Sequence, residues 1–135
     1  MGVKAISMKV ILIPLFLFIS LLGFSQYFYD GSGRQVARFD DNRVYNASGK
    51  QIGRIDAQMI YDGSGHQIGR VDGNYFYDGS GKQIGRVDGN YLYSGSGKQM
   101  GRLDGDYLYD ASGRQIGRAD GLRRTQVIIF FYYFY

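Results

Sequence analysis

From Gln26 onward the chain alternates short runs of β-prone residues with clusters of turn residues, on a period of sixteen. One copy reads Lys82-Gln83-Ile84-Gly85-Arg86-Val87, then Asp88-Gly89-Asn90, then Tyr91-Leu92-Tyr93-Ser94, then Gly95-Ser96-Gly97. A turn glycine recurs at Gly33, Gly49, Gly65, Gly81, Gly97 and Gly113. A tyrosine stands four places before each, and an arginine at Arg38, Arg54, Arg70, Arg86, Arg102 and Arg118 is followed two places later by Asp. A fixed period held through six copies is the signature of a repeat architecture. β-branched and aromatic runs bounded by Gly, Asp, Asn and Ser predict strands joined by hairpin turns. Sixteen residues leave no room for a helix of ordinary length. The fold class expected is all-β: short antiparallel hairpin repeats in a radial or closed arrangement. Strands are predicted near 34–39, 43–46, 50–55, 59–62, 66–71, 75–78, 82–87, 91–94, 98–103, 107–110 and 114–119.

Variation between copies types the turns. The first turn is Asp78-Gly79-Ser80-Gly81 in one copy and Asp110-Ala111-Ser112-Gly113 in another. Tolerance of Ala at the second place puts Gly79 at negative φ, and Gly81 then takes the left-handed position of a three-residue loop. That loop sets Tyr77 against Gln83, Phe76 against Ile84 and Tyr75 against Gly85. Because a one-residue slip flips a strand, the second turn, Asp88-Gly89-Asn90, is also read as a three-residue loop, setting Gly85 against Tyr93 and Val87 against Tyr91. One face would then carry the Tyr pairs, the strand Gly and Val87, and the other Ile84, Phe76, Leu92 and Arg86. A flanking Tyr ring is expected to lie across the strand Gly.

The period stops at Gly121. Leu122 to Gln126 leads into Val127-Ile128-Ile129-Phe130-Phe131-Tyr132-Tyr133-Phe134-Tyr135, apolar on both faces of an extended chain and far shorter than a membrane-spanning helix. It is read as a final strand, buried on both sides, that closes the structure and supplies much of its core. The early copies depart from the pattern: Arg43 and Met59 replace the first Tyr of the pair, and Ala37 the strand Gly.

The first residues change the picture of where the protein works. Lys4 and Lys9 precede an apolar run from Val10 to Leu22, and Gly23-Phe24-Ser25 offers small residues for cleavage. This pattern is a secretory signal peptide over 1–25, cut between Ser25 and Gln26. The remaining chain, 26–135, is a single domain, with repeats over 26–121 and the apolar closing segment over 122–135. The run is short and Pro14 interrupts it, so no transmembrane span is expected after cleavage. The protein is therefore expected to be exported, to the periplasm or outside the cell. The chain has no Cys, and hence neither disulfides nor a lipid-anchoring thiol. Its formal charge of +4 falls to +2 without Lys4 and Lys9, too little to argue for nucleic acid.

No catalytic constellation is visible, and the expectation is that the protein is not an enzyme. His66 is the only His and stands where other copies have Lys or Arg, opposite Asp62. Without Cys or a second His, and with Asp as its only acid, the chain lacks the parts of a transition-metal site or of the usual nucleophile–base sets. Each Asp-containing turn offers about one carboxylate, short of what calcium needs. No cofactor is expected. Tyrosines are the features able to read a ligand: Tyr75, Tyr77, Tyr91, Tyr93, Tyr107 and Tyr109, near Asp, Asn and Arg, suit sugar rings, which stack on aromatic faces and hydrogen-bond at their edges.

The Y-x-Y-D-x-S-G-x-x-I-G-R-x-D-G copies and the closing L-R-R-x-Q-V-I-I-F-F resemble the four-fold β-flower family of small secreted bacterial proteins, over Gln26 to Tyr135. That resemblance implies an all-β, radial arrangement of hairpins and no established activity; six turn copies do not map onto four-fold symmetry. Tyr77-Asp78-Gly79-Ser80-Gly81-Lys82 is also similar to the core of the longer YD repeats of large bacterial shell proteins. The expected function is a non-enzymatic structural or interaction module of the bacterial cell envelope, whose partner is a cell-envelope glycan or protein. The alternative is a glycan- or peptidoglycan-binding module that uses the Tyr face.

Overall fold

The computed structural model describes residues 26–135. Residues 1–25, read above as a leader ending at Ser25, lie outside them. Twelve strands alternate in length between four and six residues: β1 (Tyr27–Asp30), β2 (Gln35–Asp40), β3 (Arg43–Asn46), β4 (Gln51–Asp56), β5 (Met59–Asp62), β6 (Gln67–Asp72), β7 (Tyr75–Asp78), β8 (Gln83–Asp88), β9 (Tyr91–Ser94), β10 (Gln99–Asp104), β11 (Tyr107–Asp110) and β12 (Gln115–Asp120). Each pairs antiparallel with its neighbours in sequence, and β1 pairs with β12, so the sheet closes into a barrel. The all-β, closed hairpin arrangement expected from the repeat is what forms, and Tyr27–Asp30 adds a strand ahead of the first one predicted.

The closing pair copies the linked ones. Tyr27 opposes Asp120 as Tyr91 opposes Asp88. Five of these hairpins are therefore joined by tight turns, and the sixth is assembled from the two ends of the repeat region. Closure matters because short hairpins are marginal alone, and a closed sheet leaves no row of unpaired edge groups.

The first turn is as predicted. Asp78 N donates to Lys82 O and Gly81 N to Asp78 O, leaving three loop residues with Gly81 at φ +91. Gly79 is not at positive φ, but a Cβ there would stand 2.8 Å from Gln67 O on the neighbouring spoke, so tight approach is what selects Gly at that position. Ala47 and Ala111 show that other copies make room.

Past this turn the predicted register fails. A β-bulge at Ile84 sets Phe76 against Gly85 and Tyr75 against Arg86. The extra residue reverses the parity on which the second turn was argued. That turn has two loop residues, with Asp88 opposite Tyr91, Val87 opposite Leu92 and Gly85 opposite Ser94. Its first residue alone has positive φ, the sign pattern of a type II′ turn. Gly89 meets this at φ 59 without strain, whereas Asp41 and Ala57 are held at φ 58 and 55.

The faces change accordingly. Phe76, Gly85, Val87 and Leu92 point into the barrel, while the tyrosines and Arg86 point out. Each four-residue strand places one buried apolar side chain inside: Phe28, Val44, Ile60, Phe76, Leu92 or Leu108.

The apolar tail is the principal correction. It is not a strand but a helix, α1 (Arg124–Tyr133), within the barrel. Every strand edge is already taken by closure, so an extended tail inside would leave its N–H and C=O groups unpaired, and a helix bonds them to itself. From Val127 onward α1 is apolar on all sides, the pattern of a buried helix. Gln126, Val127, Ile128, Ile129 and Phe130 are its buried residues. At its start, Gln126 Oε1 accepts from Arg123 N at 2.8 Å, and the Arg124 guanidinium donates to Gly89 O and, at 3.3 Å, to Asn90 Oδ1.

The end of α1 explains the strand glycines. Phe131, Tyr132, Tyr133 and Phe134 lie over Gly101, Gly85, Gly69 and Gly53 in turn, one spoke after another. Tyr132 Oη donates to Tyr93 O at 2.7 Å and Arg86 O at 3.1 Å, and Tyr133 Oη to Tyr77 O at 2.8 Å and Arg70 O at 3.1 Å. Phe28 lies over Gly117. The rings expected from flanking tyrosines come instead from the tail and β1.

Candidate recognition surface

With the bore occupied, the outer wall carries the repeated polar pattern. On each spoke an Arg guanidinium lies over the ring of a Tyr on the following strand: Arg70 over Tyr77 at 4.3 Å, Arg86 over Tyr93 at 4.5 Å, Arg102 over Tyr109 at 4.3 Å. Arg38, Arg54 and Arg118 stack likewise on Tyr45, Tyr61 and Tyr29. Five of these arginines also reach the Asp two residues on, at 3.3 to 3.9 Å. Each exposed stack contributes about 0.5–1 kcal/mol, and a surface ion pair about 0–1 kcal/mol. Their larger effect is to hold both side chains flat against the wall.

The six tyrosines singled out in the sequence fall into two sets on this one face. Tyr77, Tyr93 and Tyr109 are half-buried beneath arginines. Tyr75, Tyr91 and Tyr107 have no such cover and are 43–45% exposed. They stand beside the next arginine in register, giving the rows Tyr75–Arg86–Tyr93, Tyr91–Arg102–Tyr109 and Tyr107–Arg118–Tyr29. Tyr27–Arg38–Tyr45 makes a fourth. Arg43 and Met59 take the outer Tyr position in the remaining two. The tyrosines thus stand neither under the closing segment nor in a deep groove, but in a band along one arc. The arginines between them entered the sequence reading only as neighbours of the tyrosines, although their sixteen-residue period was plain.

The rim of three-residue loops is a second polar surface. Asp30 Oδ1 accepts from the Ser32 hydroxyl at 2.6 Å, Ser32 N at 2.9 Å and Arg34 N at 3.0 Å. The Ser32 hydroxyl and then the Arg34 amide hold its carboxyl down at about 2. Asp62, Asp78 and Asp110 are lowered by the same set of bonds. Gly31 approaches β12 closely, a Cβ there standing 2.7 Å from Gln115 O, beside a cleft of about 420 Å³ lined by Asp30, Ser32, Arg114 and Tyr135. Asp62, Ser64 and His66 bring triad residue types together without triad geometry. The Ser64 hydroxyl lies 2.9 Å from Asp62 Oδ1 and 2.9 Å from His66 Nδ1, the same ring nitrogen that faces Asp62 Oδ2 at 3.6 Å, so the imidazole does not bridge carboxylate and hydroxyl through its two nitrogens. Among the described residues no three His, Asp or Glu side chains cluster as metal ligands. No helix there is long and apolar enough to cross a membrane.

A small closed barrel of hairpin spokes, plugged by its own C-terminal helix and banded outside by Tyr and Arg, is the class of protein that the fold defines. Residues 25–135 match the family described as 5-fold beta-flower protein, and the chain belongs to that family. The matched family is thus the five-fold and not the four-fold kind. No curated protein and no solved structure matches the chain.

Proposed function

We propose that this protein is an exported, non-enzymatic interaction module of the bacterial cell envelope that engages its partner through the outer Tyr–Arg band. The observation that supports this most is the filled bore. Side chains of α1 fill the centre of the barrel and leave clefts of about 200 and 410 Å³ between the start of α1 and the two-residue turns, whereas the outer wall repeats one Tyr–Arg pattern from spoke to spoke. Cell fractionation of a tagged full-length chain tests the export. Recovery in the cytoplasm with the leader intact overturns it.

A glycan ligand is the second reading, favoured by the exposure of Tyr75, Tyr91 and Tyr107 beside Arg86, Arg102 and Arg118. Sugar rings stack on such faces while neighbouring guanidinium groups bond their hydroxyls. Residues 26–135 screened against peptidoglycan fragments and envelope polysaccharides should bind at least one. The triple change Tyr75→Ala, Tyr91→Ala, Tyr107→Ala should weaken that binding at least about tenfold, or ~1.4 kcal/mol. Unchanged binding by the triple variant rules out the Tyr face as the glycan site.

A further inference from the structure

The seam of the barrel places one residue, Gln26, in a special chemical position. We propose that Gln26 is a modification site, at which the mature chain closes its own N-terminus into a pyroglutamyl lactam. This rests on the reading that export cuts the chain between Ser25 and Gln26. That cut makes a glutamine the first residue, with a free α-amine able to reach its own side-chain amide. The amine nitrogen attacks Cδ and forms the lactam C–N bond. The Cδ–Nε2 bond breaks, and the side-chain nitrogen leaves as ammonia with the proton that the amine gives up. No oxidant, reductant or second substrate enters.

The fold tolerates this change and leaves the site open. Gln26 is half-exposed at the barrel rim, just ahead of β1. Its described bond to the barrel uses its carbonyl, which accepts from Phe39 N at 2.8 Å. The lactam retains that carbonyl. Five other spokes make the same bond from Asn42, Gln58, Asn74, Asn90 and Asp106, at 2.8–2.9 Å. In each of those the residue's own nitrogen is an uncharged amide within a tight turn. A free terminus would put an ammonium at the sixth place, and the lactam restores an uncharged amide there.

The test is export of the full-length chain followed by intact-mass measurement and sequencing of its N-terminal peptide. The expected product begins at residue 26, is lighter by one ammonia than the open form, and resists stepwise degradation from the N-terminus. Gln26→Ala should begin at the same residue with a free amine and an unchanged melting temperature. A chain that begins at Gln26 and keeps its free amine overturns the lactam while leaving the cleavage reading intact. A chain that begins elsewhere overturns the cleavage reading and the proposal with it. Releasing residues 26–135 from a fusion at an engineered protease site then asks separately whether a terminal Gln26 cyclises on this barrel, and an open terminus after prolonged incubation answers no.

Discussion

Gly85→Ala tests whether the plug's rings dictate the strand glycines. A Cβ at Gly85 would lie 2.6 Å from Tyr132 Cζ and 2.8 Å from Cδ1, with Cε1 closer still. The ring cannot swing aside freely, because its hydroxyl is bonded to Tyr93 O and Arg86 O and its face stacks on Phe76 at a centroid distance of 4.5 Å. Overpacking of this kind costs about 1–3 kcal/mol, and losing the hydroxyl's hydrogen bonds adds about 0.5–1.5 kcal/mol. Equivalent glycines also face a strand carbonyl, as a Cβ at Gly69 would stand 2.8 Å from Tyr77 O. Ala37, fully buried at the same position of β2, shows that a carbonyl alone does not forbid a methyl group there. A double-mutant cycle separates the two contributions. In urea denaturation Gly85→Ala should destabilise the parent by ~2–4 kcal/mol and the Tyr132→Ala background by less than about 1 kcal/mol, a coupling of the size contacting pairs show. Equal costs in both backgrounds would refute the claim that the ring selects the glycine.

Three further outcomes follow from the same structure. Truncation after Gln126 removes Val127, Ile128, Ile129 and Phe130 from the core, each worth roughly 1.5–3 kcal/mol; against the ~5–15 kcal/mol that holds a domain together, the shortened chain should unfold or aggregate on gel filtration although every repeat is complete. Burial raises Tyr132 and Tyr133 to about 12 from an ordinary 10.0, so the stability they contribute is fully present below pH 10 and lost as pH rises towards 12; a tyrosinate absorbance titration should show two tyrosines ionising late, together with loss of near-ultraviolet circular dichroism, and ordinary titration of all the tyrosines would count against the buried placement. Ala57→Gly relieves a residue with a Cβ held at φ 55 and should raise the melting temperature, by up to about 1 kcal/mol of stability after the added chain entropy is subtracted; a lower melting temperature would mean that the turn is not strained.

Much of this protein was set by its sequence alone. The sixteen-residue period, the β-branched and aromatic runs and the Asp-x-Ser-Gly loops specify the hairpins, nearly every strand and the left-handed Gly81, because these are local preferences of φ, ψ and side-chain branching. Identical units that cannot bury a face alone must also stack, so a closed or radial arrangement followed from the repeat. What the sequence left open depended on a single residue of parity. The bulge at Ile84 has no local marker, and it decides that Phe76 and Val87 face in while Tyr77 and Arg86 face out. The Tyr–Arg stacks that order the outer wall were therefore hidden, although each residue's period was plain. The tail was beyond local reasoning for a different reason. An unbroken apolar run of nine residues suits a buried strand or a buried helix equally, and its own residues do not choose. Closure of β1 on β12 makes the choice: it consumes every strand edge, so a chain in the bore must bond to itself, and only a helix does so.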